Sequence, residues 1–368
     1  TADRALMSTA DYRWMARALT LARRGLYSVD PNPRVGCVLV REGEIVGEGW
    51  HERAGEAHAE VIALAAAGDR ARGATVYVTL EPCCHYGRTP PCTEALLQAG
   101  VARVVAAMSD PNPQVAGQGL AILREAGVAV ECGLLEAEAR AINPGFIRRM
   151  TQGRPLVRLK LAMSLDGRTA LASGESQWLT GDPARRDVQR WRARSSAMLT
   201  GIGTVLADDP GLNVRLPNVS RQPLRVILDR QLRTPPTART LQLPGSVLIF
   251  TAVADPDRQA PLQRAGADIV VISSAGRGLN LAVVMAELAR RECNEIHVEC
   301  GPTLAGALLD AGLVDELIIY MAPVLLGDQA RALFQLPELT RMRDRRTLEL
   351  LETRAVGQDW RLRLRPAR

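Results

Sequence analysis

Cysteine and histidine are concentrated in one short stretch of the chain, EPCCHYGRTPPC, which runs from Glu81 to Cys92. This stretch holds three of the seven cysteines and one of the four histidines. Thiolate and imidazole groups are common zinc ligands in proteins. We therefore expect a metal site that draws on Cys83, Cys84, His85 or Cys92.

The motif His58-Ala59-Glu60 lies upstream and completes a recognisable pattern. Zinc deaminases pair an H-x-E motif with P-C-x-x-C, although here eight residues rather than two separate Cys83 from Cys92. One histidine and two thiolates would leave a fourth position on a catalytic zinc ion for water. Glu60 could take the proton of that water and deliver it to a leaving amine without ligating the metal. We predict His58, Cys83 and Cys92 as zinc ligands and Glu60 as a catalytic residue.

A structural zinc site is the main alternative at this point. Such a site usually has four protein ligands, and either Cys84 or His85 could supply the fourth. Neighbouring side chains in extended backbone point in opposite directions, which argues against Cys83 and Cys84 ligating the same ion.

The distribution of charge separates the chain into two parts. Its net charge is +6; residues 1–150 carry 16 basic and 17 acidic side chains, whereas residues 151–368 carry 30 and 23. A basic half is typical of proteins that bind small phosphorylated molecules or nucleic acid, although a solvated arginine surface would look the same. Aromatic residues are only 4% and are not interleaved with arginine, so few could stack on the bases of RNA. We expect a small phosphorylated substrate rather than an RNA-modifying deaminase.

Lysine is nearly absent, since 45 of the 46 basic residues are arginine and Lys160 is the one exception. Lysine, unlike arginine, can shift its pKa and transfer a proton. We therefore consider Lys160 a candidate for proton transfer, with chance retention as the alternative.

The sequence also favours a cytoplasmic protein without membrane contact. We find no apolar run long enough to span a bilayer and no signal-peptide pattern. The cysteines are odd in number and unevenly spaced, which in a chain of 368 residues favours metal-binding thiols in a reducing compartment.

Alternating strands and helices predict two α/β domains, 11–150 and 151–368, joined near the TQGRP segment. In the first, we predict helices at 13–25, 58–68, 92–100 and 121–127 and strands at 34–50 (a hairpin), 74–80, 103–108 and 128–133. In the second, we predict strands at 156–163, 224–230, 247–250, 269–273, 295–300 and 316–321, helices at 183–194, 279–291 and 303–311, and a C-terminal hairpin with Gly357 in its turn.

Several long motifs resemble the bacterial bifunctional riboflavin-biosynthesis family of deaminase–reductases. Those similar to its deaminase half are DPNPRVG (30–36), GWHERAGEAHAE (49–60), TLEPCCHYGRTPPC (79–92) and DPNPQVAGQG (110–119). Those similar to its reductase half are KLAMSLDGRTALASGESQWLT (160–180), TVLADDPGLNVR (204–215) and VECGPTLAGALLDAGLVDEL (298–317). The resemblance implies a cytidine-deaminase-like α/β/α layered domain followed by a dihydrofolate-reductase-like α/β domain. It also implies deamination of a diaminopyrimidine ribosyl phosphate, then reduction of the ribosyl chain to ribityl with NADPH, in a homo-oligomer (dimer or tetramer).

The resemblance also implies site residues. It supports the three zinc ligands and Glu60, and it places Asn32, His51, Arg88, Asp110 and Asn112 around the deaminase substrate. For NADPH it implies contacts from Ala162, Trp178, Thr204, Asp208, Gly301, Pro302, Thr303, Leu304, Ala305, Gly306 and Ala307. For the reductase substrate it implies Ser176, Arg192, Leu212, Arg215 and Glu299.

The residues themselves support a dinucleotide site that is not of the Rossmann type. No G-x-G-x-x-G motif follows a strand, but EIHVECGPTLAGALL predicts a strand, a Gly-Pro turn and a helix starting near Thr303. The free N–H groups at such a helix start could bind a pyrophosphate, or the segment could be an ordinary connection. Reduction also needs an acid, for which Lys160, Asp208 and Glu299 are the candidates, with Lys160 preferred.

Overall fold

A five-stranded sheet organises the first of the two units into which the chain divides, Thr1–Gly153 and Arg154–Arg368. The computed structural model describes residues 7–86, 90–113, 115–219, 221–276 and 278–367. None of the described helices combines the length and the apolar character needed to cross a membrane.

The first unit alternates strands and helices after an initial hairpin. Its strands are β1 (Gly36–Arg41), β2 (Glu44–Trp50), β3 (Thr75–Val78), β4 (Arg103–Ala106) and β5 (Ala129–Cys132). Its helices are α1 (Thr9–Ala22), α2 (Ala59–Ala67), α3 (Cys92–Ala99), α4 (Gln118–Glu125), α5 (Glu136–Ile142) and α6 (Pro144–Gln152). The sheet order is β2-β1-β3-β4-β5, antiparallel on both sides of β1 and parallel from β3 to β5.

Helices cover both faces of this sheet, and successive strand residues point to opposite faces. Cys37 and Leu39 pack against α2, α3 and α4, whereas Val38 and Val40 pack against α1 and α5. The result is the predicted α/β/α layering. The carboxyl ends of β3 and β4 lie side by side, which brings the segments that follow them to one edge of the sheet.

A glycine in β2 controls how closely α2 approaches the sheet. A Cβ atom built on Gly49 would lie 2.5 Å from the Ala59 carbonyl oxygen, closer than real Cβ atoms come. Gly49 therefore allows the first turn of α2 to lie directly on β2, and this contact places His58, the residue before α2.

A nine-stranded sheet forms the second unit. Its strands are β6 (Leu156–Ser164), β8 (Ala197–Gly201), β9 (Leu224–Leu228), β10 (Val247–Thr251), β11 (Ala267–Val271), β14 (Glu295–Glu299), β15 (Glu316–Ala322), β17 (Leu348–Val356) and β18 (Asp359–Pro366). Two short ladders accompany it, β7 (Arg168–Ala170) with β16 (Arg331–Ala332) and β12 (Ser274–Ala275) with β13 (Gly278–Leu279). The helices are α7 (Asp182–Arg194), α8 (Ile202–Asp208), α9 (Arg239–Gln242), α10 (Pro256–Arg264), α11 (Leu281–Arg290) and α12 (Pro302–Asp310).

The order of the large sheet is β11-β10-β9-β8-β14-β6-β15-β18-β17, parallel except for the final C-terminal hairpin. One face is an apolar core with α11 and α12, and the other is covered by α7 to α10. Beneath α7 this second face is highly charged: Trp191 packs among the guanidinium groups of Arg158, Arg194, Arg361 and Arg363, at 5.3–5.6 Å from its ring. α7 lies on this face, and Arg192 near its end reaches Glu299 at the carboxyl end of β14.

Candidate zinc centre and reductase cleft

Three separate elements bring His58, Cys83 and Cys92 together. His58 is the N-cap of α2, Cys92 is the first residue of α3, and Cys83 lies in the segment after β3. Their ligand atoms all lie within 4.8 Å of one another, and His58 Nδ1 is 3.3 Å from Cys92 Sγ and 3.5 Å from Cys83 Sγ. One imidazole and two thiols at these separations fit a tetrahedral zinc ion with one position left for water.

The surroundings of the two thiols favour a thiolate. The backbone N–H of Cys92, at the start of α3, donates a hydrogen bond to Cys83 Sγ at 3.3 Å. Hydrogen bonding from the Cys92 thiol lowers the pKa of Cys83, and the same shared bond raises the pKa of Cys92. Because thiols must lose their protons to ligate a metal, metal binding at Cys83 and Cys92 would release protons.

Cys84 and His85 do not join this cluster. Both are described residues, and His85 is exposed to solvent. The structural-site alternative, in which one of them completes four protein ligands, has no support in this geometry.

Glu60 is the second residue of α2 and is only 4% exposed. Burial, reinforced by the nearby charge of Cys83, raises the pKa of Glu60 to about 7. A dication beside it would oppose this rise, since it favours the carboxylate. A carboxyl group with a pKa close to the working pH can both accept and return a proton.

His51 and Asn32 form a fixed pair beside the cluster. His51 Nδ1 lies 3.0 Å from the Ala57 carbonyl oxygen, which only accepts, so this nitrogen carries the proton. His51 Nε2 can then accept from the Asn32 amide, also at 3.0 Å. Burial lowers the pKa of His51, which agrees with a neutral ring. His51 therefore orients Asn32, because both of its ring nitrogens are engaged within the protein.

Asp110 and Asn112 follow β4 on the neighbouring segment. The Asp110 carboxylate accepts a hydrogen bond from the Asn112 backbone N–H at 2.8 Å, and burial raises the pKa of Asp110. Arg88, predicted for the same pocket, lies outside the described residues. The sequence prediction missed Glu81, whose buried carboxylate hydrogen-bonds this segment; its position just before Pro82-Cys83 was the available signal.

A cavity of about 1880 Å³ opens at the carboxyl ends of the central parallel strands of the second unit. Single small-molecule pockets are usually about 300–1,000 Å³, so this cleft has room for a dinucleotide and a second ligand. The predicted residues that line it are Lys160, Ala162, Ser176, Trp178, Arg192, Thr204, Asp208, Leu212, Arg215, Glu299, Gly301, Pro302, Thr303, Leu304 and Ala307.

Two predicted cofactor residues do not line the cleft. Ala305 is fully buried in the apolar core, and Gly306 packs against the backbone of Gln335. Both lie on the inner side of α12, and the start of that helix, at Gly301 and Pro302, faces the cavity. An N-terminus open to a cleft provides N–H donors for a pyrophosphate.

Lys160, Glu299 and Arg192 form a charged cluster in the cleft. Lys160 on β6 is paired in register with Glu299 on the adjacent parallel strand β14. Arg192 donates from Nε and Nη2 to the two Glu299 carboxylate oxygens, each at 2.7 Å. Burial alone would raise the pKa of Glu299, but Arg192, His297 and Lys160 hold it well below its usual range. His297 was not predicted, and its Nε2 lies 3.4 Å from Glu299 Oε1.

Arg192 and Arg215, both predicted to bind the substrate, have different surroundings. Arg192 is 8% exposed, and its third nitrogen donates to the Asn213 carbonyl oxygen at 3.0 Å, so all three of its nitrogens have protein partners. Arg215 is exposed and lines the cleft with Arg239. Partial desolvation at the mouth of the cleft, together with the charges of Arg192 and Arg239, lowers the pKa of Arg215, which marks a region of positive potential.

Comparison with known proteins matches both units to described families. A family model of the cytidine and deoxycytidylate deaminase zinc-binding region matches residues 8–108, and a model of the RibD C-terminal domain matches residues 155–362. The riboflavin biosynthesis protein RibD of Escherichia coli is 53% identical over 361 residues, covering 95% of this chain and 97% of that protein.

Solved structures agree over nearly the full length. Acinetobacter baumannii RibD superposes with a TM-score of 0.92 and 49% identity, covering 98% of this chain and 99% of that chain. A diaminohydroxyphosphoribosylaminopyrimidine deaminase/5-amino-6-(5-phosphoribosylamino)uracil reductase from Thermotoga maritima gives a TM-score of 0.86 at 33% identity, covering 97% and 99%.

Proposed function

The chain belongs to the RibD family of bifunctional riboflavin-biosynthesis enzymes, which combine a zinc-binding deaminase with a reductase, and from this premise we propose how its residues divide the two reactions. Residues 11–150 carry the deamination of 2,5-diamino-6-ribosylamino-4(3H)-pyrimidinone 5′-phosphate. Residues 151–368 carry the NADPH-dependent reduction that yields 5-amino-6-ribitylaminouracil 5′-phosphate. The observation that supports this division best is that each unit contains its own cluster of predicted residues.

For the deamination, we assign the zinc site to His58, Cys83 and Cys92. A zinc ion held there would supply a water molecule of lowered pKa. Glu60, buried beside the three ligand residues, would act as the base that takes a proton from the attacking water. Glu60 then passes the proton to the departing nitrogen, which leaves as ammonia. Asn32, held by His51, and the Asp110–Asn112 segment orient the pyrimidine, with Arg88 as a further predicted contact.

For the reduction, bound NADPH would supply the hydride that is added to C1′ of the opened sugar. We assign the accompanying proton to Lys160. Glu299 lies in register with Lys160 on the adjacent strand and is fixed by Arg192, so its negative charge favours the Lys160 ammonium. The start of α12 receives the cofactor pyrophosphate. Asp208, at the exposed end of α8, lines the cofactor part of the cleft.

The two half-reactions can be separated in one experiment. The purified protein is given the diaminopyrimidine phosphate with and without NADPH, and ammonia and both pyrimidine products are measured. We expect ammonia release in both samples and a ribityl product only with NADPH. Ammonia release that depended on NADPH, or no ammonia release, would contradict the assignment.

Arg215 is the cation we assign to the substrate 5′-phosphate, because Arg192 is already engaged with Glu299. Arg215→Ala should raise the reductase KM for the phosphorylated substrate by roughly 10- to 100-fold, which is the effect of losing a hydrogen bond to a charged group. The KM for the dephosphorylated analogue should change little. Arg264→Ala, at an exposed position that ends α10, is the matched control. An equal loss for both substrates would rule out a phosphate role.

We also propose an oligomeric state and a cellular location for the protein. We propose a homo-oligomer, a dimer or tetramer, because β17 is an edge strand and its hairpin exposes Leu350 and Trp360. We propose a cytoplasmic location, since Cys83 and Cys92 must remain reduced to bind a metal. Nucleic acid is not among the proposed partners.

A further inference from the structure

Glu81 connects the metal segment with the substrate segment of the first unit. It is two residues before Cys83 and only 4% exposed. Its backbone N–H donates to the Met108 carbonyl oxygen at 2.9 Å, just before Asp110. Its side chain points at the same neighbouring segment, so Glu81 touches both sides of the predicted pocket.

The Glu81 carboxylate accepts four backbone hydrogen bonds. Oε2 accepts from the N–H groups of Asp110 and Gly117, both at 2.9 Å, and Oε1 accepts from Gly119 at 2.9 Å and Leu120 at 3.3 Å. Gly119 and Leu120 belong to the first turn of α4, where backbone N–H groups lack helical partners and a negative charge is stabilising. One side chain thus ties the beginning of the 110–120 segment to its end.

Close packing reinforces this connection. A Cβ atom on Gly119 would lie 2.1 Å from the Pro82 carbonyl oxygen and 3.3 Å from Glu81 Oε1. The start of α4 therefore lies directly against the residue that precedes Cys83. A displacement of either segment must move the other.

We propose that Glu81 is a positioning residue for the deamination: it fixes the Asp110–Asn112 segment relative to Cys83, and so sets where the pyrimidine lies over the metal. This inference rests on the proposed role of Asp110 and Asn112 in binding the substrate. A purely structural role would instead reduce the stability and the activities of the chain together.

The test is Glu81→Gln, which keeps the size of the side chain but replaces one acceptor oxygen with an NH2 donor, so that two backbone N–H groups lose their partner. We expect the deaminase KM to rise about tenfold or more, with kcat changed by less than about threefold. Zinc content, measured by atomic emission, and the reductase rate should match those of the unmodified protein. Glu48→Gln is the matched control, because the Glu48 carboxylate in the same unit accepts two hydrogen bonds from Arg17.

A double substitution separates this inference from the proposed function. If Glu81 acts through the 110–112 segment, Glu81→Gln should add less than about threefold to KM when Asn112→Ala is already present. The inference would be overturned if the effects of Glu81→Gln and Asn112→Ala on KM were fully additive. It would also be overturned if Glu81→Gln left KM unchanged, whether or not zinc and kcat were lost. If Asn112→Ala alone left KM unchanged, the proposed substrate role of the segment would fail instead.

Discussion

Replacing Glu60 with Gln should lower the deamination rate by about 10²- to 10⁴-fold, the usual contribution of a general acid–base group. Glutamine has nearly the same shape as glutamate but cannot accept and return a proton in this pH range. Because Glu60 is not one of the three clustered ligand residues, the variant should still bind zinc. Ammonia release and zinc content measured on the same sample would check both expectations.

The reductase half of the chain provides an internal control for the Glu60→Gln variant. Its NADPH-dependent rate, measured with the deaminated intermediate as substrate, should be unchanged. Glu56→Gln is a second control, because Glu56 is an exposed carboxylate on the segment that leads into α2. Retained deamination in Glu60→Gln would remove Glu60 from the mechanism, and loss of zinc would make its role structural.

The meeting of His58, Cys83 and Cys92 could be predicted because each residue lies at an end of an element. A strand followed by Pro-Cys, a helix capped by His58 and a helix that begins at Cys92 place their ligand atoms at the carboxyl end of the parallel part of the sheet. The confirmed alternation of strands and helices depends on the same hydrophobic periodicity. The first helix begins at Thr9 rather than at residue 13, because Ser8 caps it through the Asp11 backbone N–H.

Other features could not be predicted, for identifiable physical reasons. The central strand β8 was missed because its five residues include alanine and glycine, which are rare in strands, and burial on both faces overrides that preference. Glu81 was missed because its partners are backbone N–H groups, so its position before Pro82-Cys83 was visible in the sequence but the segment it contacts was not. The pairing of Arg192 with Glu299 joins residues 107 positions apart, so only the folded sheet shows that this arginine is already occupied.

Replacing Lys160 with Met should lower the NADPH-dependent reduction by about 10²- to 10⁴-fold if Lys160 delivers the proton. Burial lowers the pKa of Lys160, partly opposed by the charge of Glu299, and an ammonium of lower pKa is a stronger acid near neutral pH. Glu299 is less suited to this role, because Arg192 and its other neighbours hold its pKa well below its usual range, which favours the carboxylate. NADPH binding, followed by fluorescence, and ammonia release should be unaffected in Lys160→Met.

The variant Lys160→Arg distinguishes a role in proton transfer from a role in electrostatic stabilisation. Arginine keeps the positive charge beside Glu299 but does not release its proton in proteins, so this variant should be nearly as slow as Lys160→Met. If Lys160→Arg instead restored most of the turnover, Lys160 would act by electrostatic stabilisation and the proton would come from elsewhere. Normal turnover in Lys160→Met with intact NADPH binding would exclude Lys160 altogether. Since every other cation of the chain is an arginine, a requirement for lysine at this position would be a requirement for a proton that can leave.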